Sequence, residues 1–231
     1  MKALLINGPG KPITIETIED HTPQKGYAVA KVLACGSGLT IQHVKAGRII
    51  VKYPRIIGHE IIGEIVEING HGGDLEIETP VTAFFYLTCG YCRWCNIDRE
   101  TLCDNFRGYI GREIDGGYAE YIKLPIENFI IIPEEIDYKN NLLETAVVCD
   151  AVATPLKIIK KARISSFDKV GVIGAGGGLG IHMLKMLKLN NISSIGIDTK
   201  TEKFGVCIEN GAEFLVSPME NDLNNKIADY T

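Results

Sequence analysis

The sequence predicts an α/β chain in two parts: a β-rich, barrel-like first part, then a second part in which strands and helices alternate around a parallel sheet. Three observations predict this. Up to about residue 136, short runs of β-branched and aromatic residues alternate or cluster between Gly, Pro and Asn. Around Asn140 the apolar spacing becomes helical. From Lys169 onward, short apolar runs alternate with helical stretches, and the first of them enters a glycine-rich turn.

The elements follow in order. The opening MKALLINGPG reads as a strand, and Ile13 to Ile18, Tyr27 to Cys35, His59 to Ile68, Val81 to Tyr86 and Tyr118 to Leu124 as further strands. Asn141 to Arg163 carries helical spacing. Lys169 to Gly174, Ile192 to Asp198 and Glu213 to Ser217 are short apolar strands, separated by helical stretches at Leu179 to Leu189 and Thr201 to Glu209. A domain boundary falls near residue 150, with no repeats and no low-complexity tract.

The 231 residues carry a net charge of -5, with 45% hydrophobic and 23% charged residues, the balance of a globular protein. Lys and Arg are scattered, so the basic footprint that nucleic acid requires is missing. No apolar run approaches the roughly 18 residues of a membrane span, and no signal peptide is legible at the start. We expect a cytoplasmic protein with reduced thiols, because an odd number of cysteines, 7, does not read as a secreted disulfide framework.

Four of those cysteines crowd into one segment. Cys89, Cys92, Cys95 and Cys103 give C-x2-C-x2-C-x7-C in a stretch with no periodicity of its own. Four thiolates this close can close a tetrahedral shell at about 2.3 Å per bond, leaving no position for substrate, which is structural zinc chemistry. Two disulfides, a redox pair or an iron–sulfur cluster are the competing readings. Trp94 and Tyr91 beside them read as packing.

VGVIGAGGGLG, Val170 to Gly180, runs from a buried strand into a helix. Glycines there allow a tight turn and close approach of a pyrophosphate to the helix N-terminus, where unpaired N–H groups favour an anion. Gly174, Gly176, Gly177, Gly178, Leu179 and Gly180 are the candidate contacts. Starting G-x-G-x-x-G at Gly174 puts Leu179 in the last glycine place, whereas starting at Ala175 satisfies it with Ala first. Asp198 ends the next strand, where it can accept hydrogen bonds from an adenosine ribose, and its charge favours NAD over NADP. Lys200 softens that preference.

The GHE triplet at Gly58 to Glu60, the tetracysteine segment and the glycine-rich turn, in this order and at these separations, closely resemble the zinc-containing alcohol dehydrogenases of the medium-chain dehydrogenase/reductase family. The resemblance covers essentially the whole chain. It implies a GroES-like β-barrel catalytic domain over residues 1–150, with a structural zinc lobe at about 86–108. An incomplete doubly wound Rossmann domain follows over 151–231, the first half only of an NAD-binding fold. It implies NAD-dependent oxidation of alcohols or reduction of carbonyls on a small-molecule substrate, and is compatible with a homo-oligomer.

The resemblance also assigns site residues and shows where this chain departs. The family loop reads C-G-x-C-x-[ST]-D-x-H, and its second cysteine, the usual metal ligand, is Gly38 here. Thr40 and His43 fall on the proton relay, while the acidic residue that supports the ligands is Ile41. His59 and Glu60 match their motif. Asp150, in VCDAVATP, stands at the third ligand, with Cys149 competing. A catalytic zinc would then be held by His59 and Asp150 with Glu60 near it, a harder and less zinc-selective shell, and loss of the orienting acid typically costs tenfold or more in affinity. Cys35 would serve only if the loop re-routes. An occupied catalytic metal and a metal-free site both stay open, the second being a carbonyl or alkene reductase.

A complete dinucleotide fold has two halves, and this sequence supplies three strands of it. We therefore read the chain as C-terminally truncated, with an unpaired apolar edge on Lys169 to Gly174. A non-catalytic nucleotide-binding fragment is the reading from another functional class. His21, His71 and His182 read as ordinary polar residues, Cys207 as a small core residue, and Met183, Met186 and Leu187 as helix packing.

Overall fold

The computed structural model describes residues 1–230. Two compact units divide the chain, Met1–Cys149 and the remainder from Asp150. The first contains β1 (Lys2–Ile6), β2 (Ile13–Thr17), β3 (Tyr27–Cys35), α1 (Thr40–Lys45), β4 (Arg55–Ile56), β5 (Ile61–Asn69), β6 (Pro80–Ala83), β7 (Tyr121–Pro125), β8 (Phe129–Ile131) and α2 (Leu142–Ala146). In β3 and β5 the apolar residues bury one face: Ala28, Ala30, Ile61 and Ile65 join Ile122 and Leu124 of β7 in the main core. The two strands pair antiparallel from Tyr27↔Asn69 to Cys35↔Ile61, with register shifts between Val29 and Ala30 and between Val32 and Ala34. Such irregularities bend and twist a strand, here at the end that leads into the Cys35 loop.

The expected barrel does not close. Its strands form a five-stranded sheet, order β7-β3-β5-β6-β8, and a three-stranded sheet, order β2-β1-β4. The reason lies in short pairings: β4 offers only Leu5↔Ile56 and Ile6↔Arg55 to β1, and β1 meets the segment before β7 through the single bridge Ala3↔Ala119. Two open sheets joined this way leave free edges where a barrel would have a continuous ladder.

In the second unit a wide, π-type helical turn over Val148–Val152 leads into α3 (Ala153–Ala162), so the single helical stretch read from the sequence is broken. β9 (Lys169–Ile173), α4 (Gly178–Leu189), β10 (Ser193–Ile197), α5 (Phe204–Glu209), β11 (Phe214–Val216) and α6 (Leu223–Tyr230) follow. The three strands are parallel, order β11-β10-β9. Met183, Leu184 and Leu187 of α4 pack with Val172, Ile159 and the buried Cys207, as their spacing predicts. Among the described residues β9 is an edge strand, with Ile173 85% exposed, the apolar edge expected from the sequence. No helix among them is long and apolar enough to cross a membrane.

Each unit has its own core, so each should respond to its own cavity. Ile65→Ala in the first and Leu184→Ala in the second are each expected to cost about 2–5 kcal/mol. Urea unfolding followed by hydrogen exchange would check this, each variant loosening the amides of its own unit first.

Candidate functional site

The tetracysteine segment folds as a compact lobe whose sulfurs converge. All four lie within 4.8 Å of one another. Individual separations are 3.5 Å for Cys92–Cys95, 3.5 Å for Cys89–Cys103, 3.9 Å for Cys92–Cys103 and 4.0 Å for Cys89–Cys95. A tetrahedron built on zinc–sulfur bonds of about 2.3 Å has an edge of about 3.8 Å, whereas a disulfide needs about 2.05 Å. The cluster therefore fits a tetrahedral ion, and its cysteines are not bonded to each other. Backbone and side-chain N–H groups support the sulfurs: Cys89 N donates to Cys103 Sγ at 3.4 Å and Asn105 Nδ2 to Cys89 Sγ at 3.7 Å. Burial pushes the Cys89 thiol up, but the N–H groups of Tyr91 and Cys92, then Asn105 and Cys103, outweigh it and bring it down to about 6. Burial and its thiol neighbours push Cys95 up to about 12. Trp94 packs outside the cluster, its Nε1 donating to Asp104 at 3.1 Å.

The second group lies where the backbone of residues 56–58 runs beside residues 116–118. Gly116 N donates to Ile56 O at 2.8 Å, Gly117 N to Gly58 O at 2.9 Å and Tyr118 N to Ile57 O at 3.0 Å. This holds the start of the GHE triplet against the turn at Gly111 to Gly117. Around it is a cavity of about 20 Å3 lined by Gly38, Thr40, His59, Arg112 and Tyr118, among others, enough for one water-sized occupant. A larger hollow of about 420 Å3, bordered by Lys188, Gly211 and Glu213, lies in the second unit and contains no residue assigned a role.

The sequence-predicted residues divide between these surroundings. Thr40 and His59 line the cavity, and His59 packs on Phe85 with ring centroids 4.9 Å apart. Glu60 is buried, its Oε2 so close to Gly36 that a Cβ there would lie 2.6 Å away. His43 stands three residues after Thr40 on α1 and accepts or shares a hydrogen bond with Arg48 Nη1 at 3.2 Å. Ile41 packs with Val44, Ile6 and Ile57 in an apolar cluster, so no carboxylate orients a ligand from that position. Cys35 is pushed up by burial, then by Cys149 and Glu60, while Cys149 Sγ donates to His59 O at 3.6 Å. Asp150 belongs to the second unit, where its Oδ1 accepts from Thr154 Oγ1 at 2.8 Å.

The glycine turn joins β9 to α4. Gly174 takes φ +76°, a left-handed backbone that favours glycine, and its N–H donates to Ile197 O at 2.8 Å. Gly180 has no room for a side chain, since a Cβ there would sit 2.2 Å from Gly174 O. The close-packing glycine is thus Gly180, and Leu179 beside it is half exposed at 51%. Gly177 precedes α4 without a side-chain cap, and the space at Gly178 is open, so the helix N-terminus can take an anion. Asp198 Oδ2 accepts the Gly176 N–H at 2.8 Å and Oδ1 the Lys200 N–H at 2.9 Å. The Lys200 N–H, above all, holds its carboxyl below the usual range against desolvation, helped by Gly176 and the Lys203 and Lys200 charges.

Comparison with known proteins shows what the chain is similar to. Residues 24–134 match the alcohol dehydrogenase GroES-like domain. An alcohol dehydrogenase of Geobacillus stearothermophilus is 30% identical over 226 residues, 96% of this chain and 65% of the relative. The chain is similar to the zinc-type medium-chain alcohol dehydrogenases. An acryloyl-coenzyme A reductase of Sulfurisphaera tokodaii is 28% identical over 100% of this chain and 68% of its own length. The cobalt- and zinc-bound thermostable alcohol dehydrogenase from Pyrobaculum aerophilum superposes with a TM-score of 0.86 at 27% identity, over 97% of this chain and 68% of that one. The chain spans about two thirds of the length of these relatives.

The two metal positions fare differently. The four-sulfur lobe fits an ion as it stands. At the other position Gly38 brings no donor, and among the described residues only the lobe gathers three or more ligand atoms within 4.8 Å. Arg112, which shares the cavity with Thr40 and His59, carries no sequence motif; its only local mark is a charged residue in a turn between glycines.

The lobe predicts a metal that leaves on acidification. Metal ligation requires thiolates, so protons compete with the ion and acidification should release it, with Cys95→Ser releasing it already at neutral pH. A zinc-responsive dye would follow both. Full metal retention in Cys95→Ser would contradict the four-thiolate shell.

Proposed function

We propose that this chain is the catalytic and coenzyme-gripping part of an NAD-dependent oxidoreductase that moves a hydride between the nicotinamide and a small alcohol or carbonyl compound. The observation that carries this reading is the Asp198 carboxylate tied to the glycine turn through Gly176. Each carboxylate oxygen has lone pairs beyond the one used by a backbone N–H, so ribose hydroxyls have acceptors, and a 2'-phosphate meets a fixed negative charge. Gly174, Gly176, Gly177, Gly178 and Gly180 shape the turn on which the pyrophosphate lies. Zinc at Cys89, Cys92, Cys95 and Cys103 is structural in this reading. The unbonded thiols accord with a reducing, cytoplasmic setting.

NADH bound at this turn would supply a hydride to the carbonyl carbon, the carbon–oxygen π pair passing to oxygen. The oxygen takes a proton from the Thr40 hydroxyl. Thr40 and His43, three residues apart on α1, lie on one side of the helix, so the imidazole can return the proton to Thr40. Glu60, buried beside Gly36, sets the potential around His59. A second reading, reduction of carbonyls or activated alkenes without a metal, is favoured by Gly38 and Ile41, and the acryloyl-coenzyme A reductase likeness accords with it.

Two measurements test this. Fluorescence titration should show NADH binding at least about tenfold tighter than NADPH, with Asp198→Ser closing most of the gap, since tenfold is only about 1.4 kcal/mol. Equal affinity for both in the unaltered chain would overturn the NAD assignment. Elemental analysis should give one zinc per chain under the metal-free reading, and two under the zinc-dependent one.

A further inference from the structure

We propose that the cavity beside Gly38 receives a substrate oxygen, and that the guanidinium of Arg112 supplies the positive charge there in place of a metal ion. This rests on the hydride-transfer reading above and names the group that polarises its substrate.

The charge is present and poorly neutralised. Arg112 lines the cavity with Thr40 and His59. Its Nε is buried with no hydrogen-bond partner. Its acidic neighbour, Glu113, reaches it only at 4.0 Å, and the Glu113 Oε2 is already taken by the Tyr109 N–H at 2.6 Å. What holds the guanidinium is an aromatic face: its central carbon lies 4.7 Å from the centroid of Tyr109, a cation–π contact. Tyr109 packs on Phe85 at 6.4 Å, and Phe85 on His59 at 4.9 Å. One ring cluster thus fixes both the cation and the histidine.

The space has the matching size. A cavity of about 20 Å3 takes one oxygen-sized group with little to spare. At Gly38 a Cβ would meet nothing within 4 Å, so the volume that a thiolate would fill is open. Tyr118 is fastened to the same wall, its hydroxyl donating to Gly36 O at 2.8 Å. A guanidinium stays charged at any working pH and forks onto planar oxygen acceptors. It therefore suits a carbonyl whose oxygen becomes negative as hydride reaches its carbon, the place where preorganised charge counts most. The substrate class is a carbonyl compound, thioester carbonyls included, and no redox-active or Lewis-acid metal is needed at this position.

The test uses the chain as it is, with trifluoroacetate as an oxygen-bearing probe followed by 19F relaxation, and NADH fluorescence measured on the same samples. Arg112→Met and Arg112→Gln should each weaken trifluoroacetate binding by about tenfold or more, as loss of a charge-assisted hydrogen bond implies, while zinc content stays at that of the unaltered chain. The milder Gln variant keeps the test decisive if Met prevents folding. Unchanged binding in either folded variant, no binding by the unaltered chain, or displacement of the probe by a second bound zinc would each overturn the proposal. Failure of NADH to bind would instead sink the coenzyme reading and leave the Arg112 result standing.

Discussion

The first unit depends on one close backbone approach, that of residues 111–118 against 56–58. A Cβ on Gly116 would lie 2.1 Å from Gly58 O, and one on Gly111 would lie 3.0 Å from Gly58 N. Only glycine allows the two segments to exchange their three hydrogen bonds at this separation. The Asp115 carboxylate secures the same junction from its end, taking Arg55 Nη1 at 2.7 Å and the Ile56 N–H at 3.2 Å. On one side of this junction stand His59 and Glu60, on the other Arg112 and Tyr118. The site is therefore set by contact between segments more than 50 residues apart, not by either loop alone.

The same junction concentrates acidic groups. Cys35, Glu60, Cys149 and Tyr118 act on one another: burial, then the neighbouring Cys35 and Glu60 charges, push the Tyr118 phenol up to about 12 despite the Ser37 hydrogen bond. A site with several potential anions and a missing ligand is a poor place to leave negative charge uncompensated. A metal ion answers that need where three donors converge. Here Gly38 offers no donor and Ile41 joins the apolar cluster, while Arg112 lines the same cavity as Thr40 and His59.

What could be read from the sequence was local. β3 was legible to the residue because its β-branched run is bounded by turn residues, and the helix α4 because its apolar spacing persists for three turns. The tetracysteine lobe was legible because four ligands lie within a span of 15 residues. Barrel closure was not, because it turns on whether β4 and Ala119 extend their pairing with β1, a matter of non-local geometry. Nor was the frame of the glycine turn: both frames fit the letters, and only the 2.2 Å approach to Gly174 O singles out Gly180. Arg112 carries no motif; its place follows from the glycine-packed junction and from Tyr109.

That last dependence links the metal lobe to the chemistry. The lobe leaves and re-enters the sheet at a single gate, where Leu87 N donates to Gly108 O and Arg107 N to Leu87 O, both at 2.9 Å, and Tyr86 bridges to Tyr109. Between these ends the chain has no strand or long helix, only short 3-10 turns at Cys95–Ile97 and Glu100–Leu102. Without an ion, closing such a loop costs conformational entropy with little burial to offset it. An ion held by the four sulfurs would supply the missing order and fix the gate. Tyr109 is one of the gate residues and also the face on which the guanidinium rests. An ion bound there would thus steady the ring on which Arg112 rests, and for this reason the lobe could matter to activity while contributing no ligand to the site.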